Sequence, residues 1–112
     1  MSVSKIRKRY VAFEVVSRNN FTFQELRSVM LEEAEKEGLN ISVLREKYDE
    51  NTKRGLIRAN HTEVLYLRKI LDNIQKISDK EVKIKSIGTS GTIRTANIKY
   101  LQKAFTKEEE VQ

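Results

Sequence analysis

Arg9-Tyr10-Val11-Ala12-Phe13-Glu14-Val15-Val16 places Val11, Phe13 and Val15 on one side of an extended chain and Tyr10, Ala12 and Glu14 on the other, in a run rich in β-branched and aromatic residues. This period of two predicts a first strand with one face in a core. Downstream, Thr22-Phe23-Gln24-Glu25 has the spacing of a capping box. Phe23, Leu26, Met30 and Ala34 then recur at helical intervals until Gly38 supplies a stop. Residues 42–49 and 53–59 flank the polar turn Asp49-Glu50-Asn51-Thr52 and carry Val43, Leu44, Tyr48, Leu56 and Ile57, which reads as a hairpin. Asn60, with Glu63 three residues on, marks a second helix start, and Val64, Leu67, Ile70, Leu71, Ile74 and Ile77 form its broad apolar face. Glu81-Val82-Lys83-Ile84-Lys85-Ser86-Ile87 alternates as a half-buried strand, with Val82 and Ile84 inward, Lys83 and Lys85 outward, and Gly88 ending it. Ile93, Ile98, Leu101 and Phe105 support a third helix beginning just beyond Gly91, with Arg94, Lys99 and Lys103 on its remaining surface.

The order β-α-β-β-α-β plus a terminal helix belongs to the α+β class. A split βαβ repeated this way gives a ferredoxin-like, RRM-like sandwich, a four-stranded antiparallel sheet with two helices on one face. No proline interrupts any element, so one domain is expected over residues 6–105, with a basic arm over 1–5 and an acidic, frayed tail over 106–112. By strand parity the face away from the helices shows Tyr10, Ala12, Leu56, Arg58, Lys83 and Lys85, a mixture of apolar and basic groups. Such a face suits a protein partner or RNA backbone, and Tyr10, Leu56 and Arg58 are its candidate partner-binding residues. An RNA-recognition domain of this topology displays aromatic rings on its two central strands; here Leu56 stands where a ring is required.

At 112 residues with 38% hydrophobic and 34% charged content, the chain has material for one core under a heavily solvated surface. The absence of cysteine excludes disulfides, thiolate catalysis and cysteine zinc sites, and a single histidine excludes histidine metal clusters. No apolar run is long enough for a signal sequence or a membrane span, so a cytoplasmic protein without a membrane partner is expected. The net charge of +6 is uneven. Residues 1–10 hold Lys5, Arg7, Lys8 and Arg9 and no acid, and residues 81–105 hold Lys83, Lys85, Arg94, Lys99 and Lys103 against Glu81 alone. Clustered charge of this kind attracts a polyanion through counterion release, although a net charge of this size also serves solubility alone.

Gly88-Thr89-Ser90-Gly91-Thr92-Ile93-Arg94 leads from a strand into a basic helix through two glycines and three hydroxyls. Backbone N–H groups there could hold a phosphate with Arg94 as charge partner, while an ordinary N-cap explains the same residues without a ligand. It is not a Walker loop, since no lysine follows Gly91. Ser17-Arg18-Asn19-Asn20 carries the arginine but not the glycine that an acyl-phosphate-cleaving ferredoxin-like hydrolase needs after its first strand. His61, at the opening of the second helix, reads as structural, and the scattered acids give no legible catalytic constellation, so no catalytic residue is assigned to the chain.

Lys8-Arg9-Tyr10-Val11-Ala12-Phe13-Glu14-Val15, Gly55-Leu56-Ile57-Arg58 before Asn60-His61, and Ile87-Gly88-Thr89-Ser90-Gly91-Thr92-Ile93-Arg94 together resemble archaeal ribonuclease P protein component 2 over nearly the whole chain. The loop around residues 37–42 is short by comparison. The resemblance implies a ferredoxin-like subunit of the ribonucleoprotein endonuclease that removes the 5′ leader from precursor tRNA. Catalysis would then belong to the RNA and to magnesium ions that it holds, with no cofactor on the protein. It further implies ribonuclease P RNA, protein component 3 and other ribonuclease P proteins as partners, and precursor tRNA as the substrate of the assembly. On that basis Lys5, Arg7, Lys8, Arg9, Arg94, Lys99 and Lys103 are expected to neutralise RNA phosphates, with Ser90, Gly91 and Thr92 offering hydrogen bonds. A free-standing RNA-binding module and a small-ligand interaction domain of the same fold are the alternatives.

Overall fold

A computed structural model describes residues 7–101. The predicted first strand is β1 (Lys8–Val16), and the capping box opens α1 (Phe23–Lys36): Thr22 Oγ1 accepts from the Glu25 N–H at 3.1 Å, and Glu25 Oε1 accepts from the Thr22 N–H at 2.9 Å. β2 (Ile41–Val43), β3 (Arg54–Asn60) and β6 (Lys83–Ser90) complete an antiparallel sheet of order β2-β3-β1-β6. With α1 and α2 (Val64–Asn73) on one face, this is the ferredoxin-like arrangement. Val11, Phe13 and Ile57 from the sheet meet Leu26, Met30, Leu67 and Leu71 from the helices in the main core. Each such side chain removed from water contributes about 1.5–3 kcal/mol, which is why the helices lie on this face and not the other. Gly55 on β3 is required here, since a Cβ would come within 2.8 Å of the Phe13 ring. Among the described residues no helix is long and apolar enough to cross a membrane.

Several elements depart from the sequence reading. The predicted hairpin over 42–49 and 53–59 is a three-residue β2 followed by a 3-10 turn (Arg45–Lys47), with Asp49 bridging to Arg54 across the polar turn. The Asn60/Glu63 pair forms no capping box. Asn60 ends β3 opposite Lys8 and its Oδ1 accepts from Lys8 Nζ at 2.7 Å, so a 3-10 turn (His61–Glu63) intervenes and α2 starts at Val64. That helix stops at Asn73. Ile74 and Ile77 are buried as expected, but Ile77 belongs to a small ribbon of β4 (Lys76–Ile77) and β5 (Lys80–Glu81), turned by Ser78 and Asp79 at positive φ.

β6 begins later than predicted and runs through Gly88 to Ser90. Opposite Ala12 and Phe13 it carries a bulge, Ala12 pairing with Gly88 and Phe13 with Ser86, which leaves Ile87 as the extra residue and reverses the strand's alternation. Gly88 is thereby turned to the face away from α1 and α2. That face is not open, which corrects the largest expectation about it. The third helix, α3 (Ile93–Ala96), continues as a wider π-type coil (Asn97–Leu101) and lies across the sheet, burying Ala12 and Leu56 under Ala96 in a second core. The helix was legible from its apolar spacing, whereas its docking against the sheet was not. Lys5, Lys103, Phe105, the arm over 1–5 and the tail over 106–112 lie outside the described residues.

Candidate nucleic-acid interface

The strand register sets side chains in rows across the face that carries α3. One row is Ser42, Arg58, Tyr10 and Ser90, from β2, β3, β1 and β6 in that order, and Lys8 with Asn60 lies beyond it. The next row holds Ala12 and Leu56, both fully buried beneath Ala96. Leu56 is therefore a core residue and offers no surface to a partner, which corrects its place among the partner-binding candidates. Tyr10 packs against the edge of this second core, and Arg58 is exposed.

Charge is distributed unequally along β3. Arg54, below the covered row, pairs with Glu14 at 3.6 Å and donates from Nη1 to the Tyr100 carbonyl at 3.0 Å, so its charge is met inside the molecule. Arg58, four residues further on the same face, has no ion pair or side-chain hydrogen bond among the described residues. Among the described residues Lys8 is held only by the neutral Asn60 amide. Arg9 Nη1 donates to the Lys8 carbonyl, and Arg7 is fixed through its backbone: its N–H donates to His61 Nδ1 at 3.1 Å, and the His61 N–H donates to its carbonyl at 2.7 Å. His61 thus extends the β1–β3 seam, a structural role as anticipated, but at a strand end and not a helix cap. The result is a group of cations, Arg7, Lys8, Arg9 and Arg58, at one pole of the sheet with no carboxylate paired to it among the described residues.

The chain leaves β6 at Ser90, opposite Tyr10, and turns back at Gly91 into α3. This turn is built as a cap. Ser90 is buried at 7% exposure and its Oγ accepts from the Thr92 N–H at 3.4 Å; Thr92 Oγ1 accepts from the Thr95 N–H at 3.1 Å and donates to Thr95 Oγ1 at 2.9 Å. Those hydroxyls are satisfied within the turn, and the helix that follows is one short turn. Gly91 and the exposed Arg94 and Lys99 remain accessible. Sequence reading missed Ser42 and Asn60, which enter the site only through register across strands far apart in the chain. Among the described residues no group of three His, Asp or Glu side chains lies close enough to hold a metal.

This surface, cationic, shallow and on a sheet whose centre is closed by a helix, suits a phosphate backbone and not an enclosed small ligand. The Rpp14/Pop5 family model matches residues 9–101. The chain belongs to the Rpp14/Pop5 family. Ribonuclease P protein component 2 of Pyrococcus horikoshii is 34% identical over 108 residues, covering 87% of this chain and 85% of that protein. The protein of the same name from Methanosarcina barkeri is 31% identical over 112 residues, covering 93% of this chain and 80% of its own. A chain from the cryo-EM structure of yeast ribonuclease MRP superposes with a TM-score of 0.60 at 14% identity, covering 97% of this chain and 96% of that one, which shows the shared fold. This Rpp14/Pop5 chain is accordingly a ribonuclease P-type ribonucleoprotein subunit.

Proposed function

We propose that the chain supports the catalytic RNA of ribonuclease P in removing the 5′ leader of precursor tRNA, by bracing packed RNA phosphates with the cationic pole of its sheet. The observation that carries this reading is the contrast between Arg54, neutralised by Glu14, and Arg58, exposed beside Lys8 with no counter-ion among the described residues. Arg7, Lys8, Arg9 and Arg58 reach the backbone from the sheet end, and Arg94 and Lys99 extend the contact along α3. Each cation that replaces condensed counterions lowers the repulsion between phosphates that must pack around the catalytic centre. Hydrolysis itself belongs to magnesium ions held by the RNA, and the protein binds no cofactor. Protein component 3 and the other ribonuclease P proteins are its protein partners, precursor tRNA is the substrate of the assembly, and the setting is the cytoplasm.

The experiment is reconstituted precursor-tRNA cleavage by the ribonuclease P RNA with the proteins of the assembly, titrated with magnesium. Arg58→Glu combined with Arg94→Glu and Lys99→Glu should raise the magnesium needed for half-maximal cleavage, with activity restored at high magnesium. Activity equal to the native assembly at every magnesium concentration would reject the assignment.

A further inference from the structure

The loop that follows β1 is gripped from two sides by lysines remote in sequence. Lys53 Nζ donates to the Ser17 carbonyl at 3.2 Å and stands 5.5 Å from the centroid of the Phe21 ring. Lys80 Nζ donates to the Asn20 carbonyl at 2.6 Å, with Glu25 Oε1 at 4.0 Å. Ser17 Oγ donates to the Glu81 carbonyl at 3.0 Å, which ties the loop to the end of β5. Between loop and ribbon lies an open cleft of about 470 Å³, lined by residues 16–19 and 81–83, with Val16 at 47% exposure inside it. Arg18 and Lys83 stand on its rim, both exposed and without an ion pair among the described residues. The lining carries one carboxylate, the exposed Glu81, against Arg18 and Lys83, and Glu25 nearby is engaged by Thr22 and Lys80.

We infer that this cleft is a second RNA-backbone contact, at the pole of the sheet opposite Lys8 and Arg58, so that the subunit bridges two separate segments of the folded RNA. The inference rests on the RNA-subunit reading and extends it. β1 runs from Lys8 at one pole to Val16 at the other, a span of about 27 Å at strand rise. Between the poles the sheet itself is closed to a ligand: Ala12 and Leu56 are sealed under Ala96, and Arg54 is held by Glu14, while the exposed Lys85, opposite Glu14, and Arg94 and Lys99 on the covering helix stand outside that seal. A strand laid continuously along β1 would have to climb over the helix that covers Ala12 and Leu56, whereas two segments each take one pole without crossing it. The cleft's breadth and its solvent-facing cations fit a phosphodiester backbone with ribose against Val16 better than an enclosed small anion.

The test is binding of the full chain to radiolabelled ribonuclease P RNA across a salt series, together with hydroxyl-radical footprinting. Arg18→Glu with Lys83→Glu should weaken binding about tenfold or more and reduce the slope of log affinity against log salt by about 1–2, at roughly 0.7–0.9 per phosphate lost. Arg18→Gln with Lys83→Gln should fall between. Arg27→Glu with Lys36→Glu makes the same charge change on α1 and should cost less than threefold. In the footprint, the cleft variant should lose one protected segment and keep the one that Arg58→Glu loses. Equal weakening by the cleft and α1 variants, loss of the same segment by the cleft variant and Arg58→Glu, or displacement of the RNA from the cleft by millimolar inorganic phosphate would each overturn the inference while leaving the subunit reading in place. A native chain that binds no ribonuclease P RNA would remove that reading, and this inference with it.

Discussion

Tyr100 rests on Gly88 so closely that a Cβ on the glycine would clash with the Cζ and hydroxyl oxygen of the phenol. The bulge at Ile87 creates this relationship, because it turns Gly88 toward the helix that closes the sheet. Gly88→Ala forces either the ring or α3 to move and should cost about 1–3 kcal/mol, the usual range for overpacking. Urea unfolding measures the loss, and adding Tyr100→Ala should recover part of it. An unchanged midpoint for Gly88→Ala would mean that α3 does not hold the sheet in solution.

Leu56 makes a second test of that closure. It is fully buried against Ala12 and Ala96, so Leu56→Ala should destabilise by about 2–5 kcal/mol, as expected for a truncated core leucine. A surface residue would cost within about 0.5 kcal/mol. Thermal or urea unfolding separates the two outcomes without any partner present.

The period of two in β1 and the capping box of α1 were legible because each depends on neighbours within a few residues. The Asn60/Glu63 pair has the same local pattern, yet Lys8, 52 residues away, takes the Asn60 amide, and tertiary pairing overrides the cap. Parity placed Tyr10, Leu56 and Arg58 on one face correctly, but parity says nothing of what lies over a face, and α3 divides these three into a buried residue, an edge residue and an exposed one. The reversal of alternation at Ile87 is likewise a property of two strands together. The two cations of the loop cleft, Arg18 and Lys83, are 65 residues apart, so charge along the chain shows Lys83 in a basic stretch but not the arginine that stands beside it.

Glu25 links the helix cap to pH. The hydrogen bond from the Thr22 N–H, helped by the Ser78 hydroxyl and by Lys80, holds its carboxyl below the usual carboxylate range. A folded value below the unfolded one gives stability that is present at neutral pH and lost as pH falls through the folded value. The stability difference between the native chain and Glu25→Gln, measured by urea unfolding, should therefore shrink on acidification. Thr22→Ala removes the other half of the box and should cost about 1 kcal/mol. A difference for Glu25→Gln that is independent of pH would place the carboxylate's contribution elsewhere.

At the alkaline end a group that links stability to pH is Tyr48, which packs on the Phe13 and Phe23 rings with centroids at 6.2 and 5.4 Å. Burial, followed by the charges of Glu50 and Asp49, pushes its phenol up to about 12. The unfolded chain loses that proton at about 10, so stability should decline as pH rises from there toward the folded value. Tyr48→Phe should flatten that decline while leaving the neutral-pH midpoint nearly unchanged. Parallel alkaline curves for the two proteins would rule Tyr48 out as the titrating group.

Arg54 and Arg58 lie on one face of one strand and should nevertheless behave oppositely. Arg54→Ala leaves the Tyr100 carbonyl without its donor and Glu14 without its partner, and should cost about 1–2 kcal/mol of stability, in keeping with a partly exposed charged hydrogen bond. With Glu14→Gln added, so that no bare carboxylate is left behind, the effect on RNA affinity should be small, because the pair as a whole carries no charge. Arg58→Ala removes an exposed, uncompensated charge, so its stability should stay within about 0.5 kcal/mol of native, while RNA affinity falls and the salt slope drops by about 0.7–0.9. Unfolding curves for Arg54→Ala and Arg58→Ala, with RNA-binding curves for Arg54→Ala plus Glu14→Gln and for Arg58→Ala, decide the matter. If removing the whole Arg54–Glu14 pair weakens RNA binding as much as Arg58→Ala, counter-ion pairing is not what selects the contact, and the cationic pole loses its claim to the RNA.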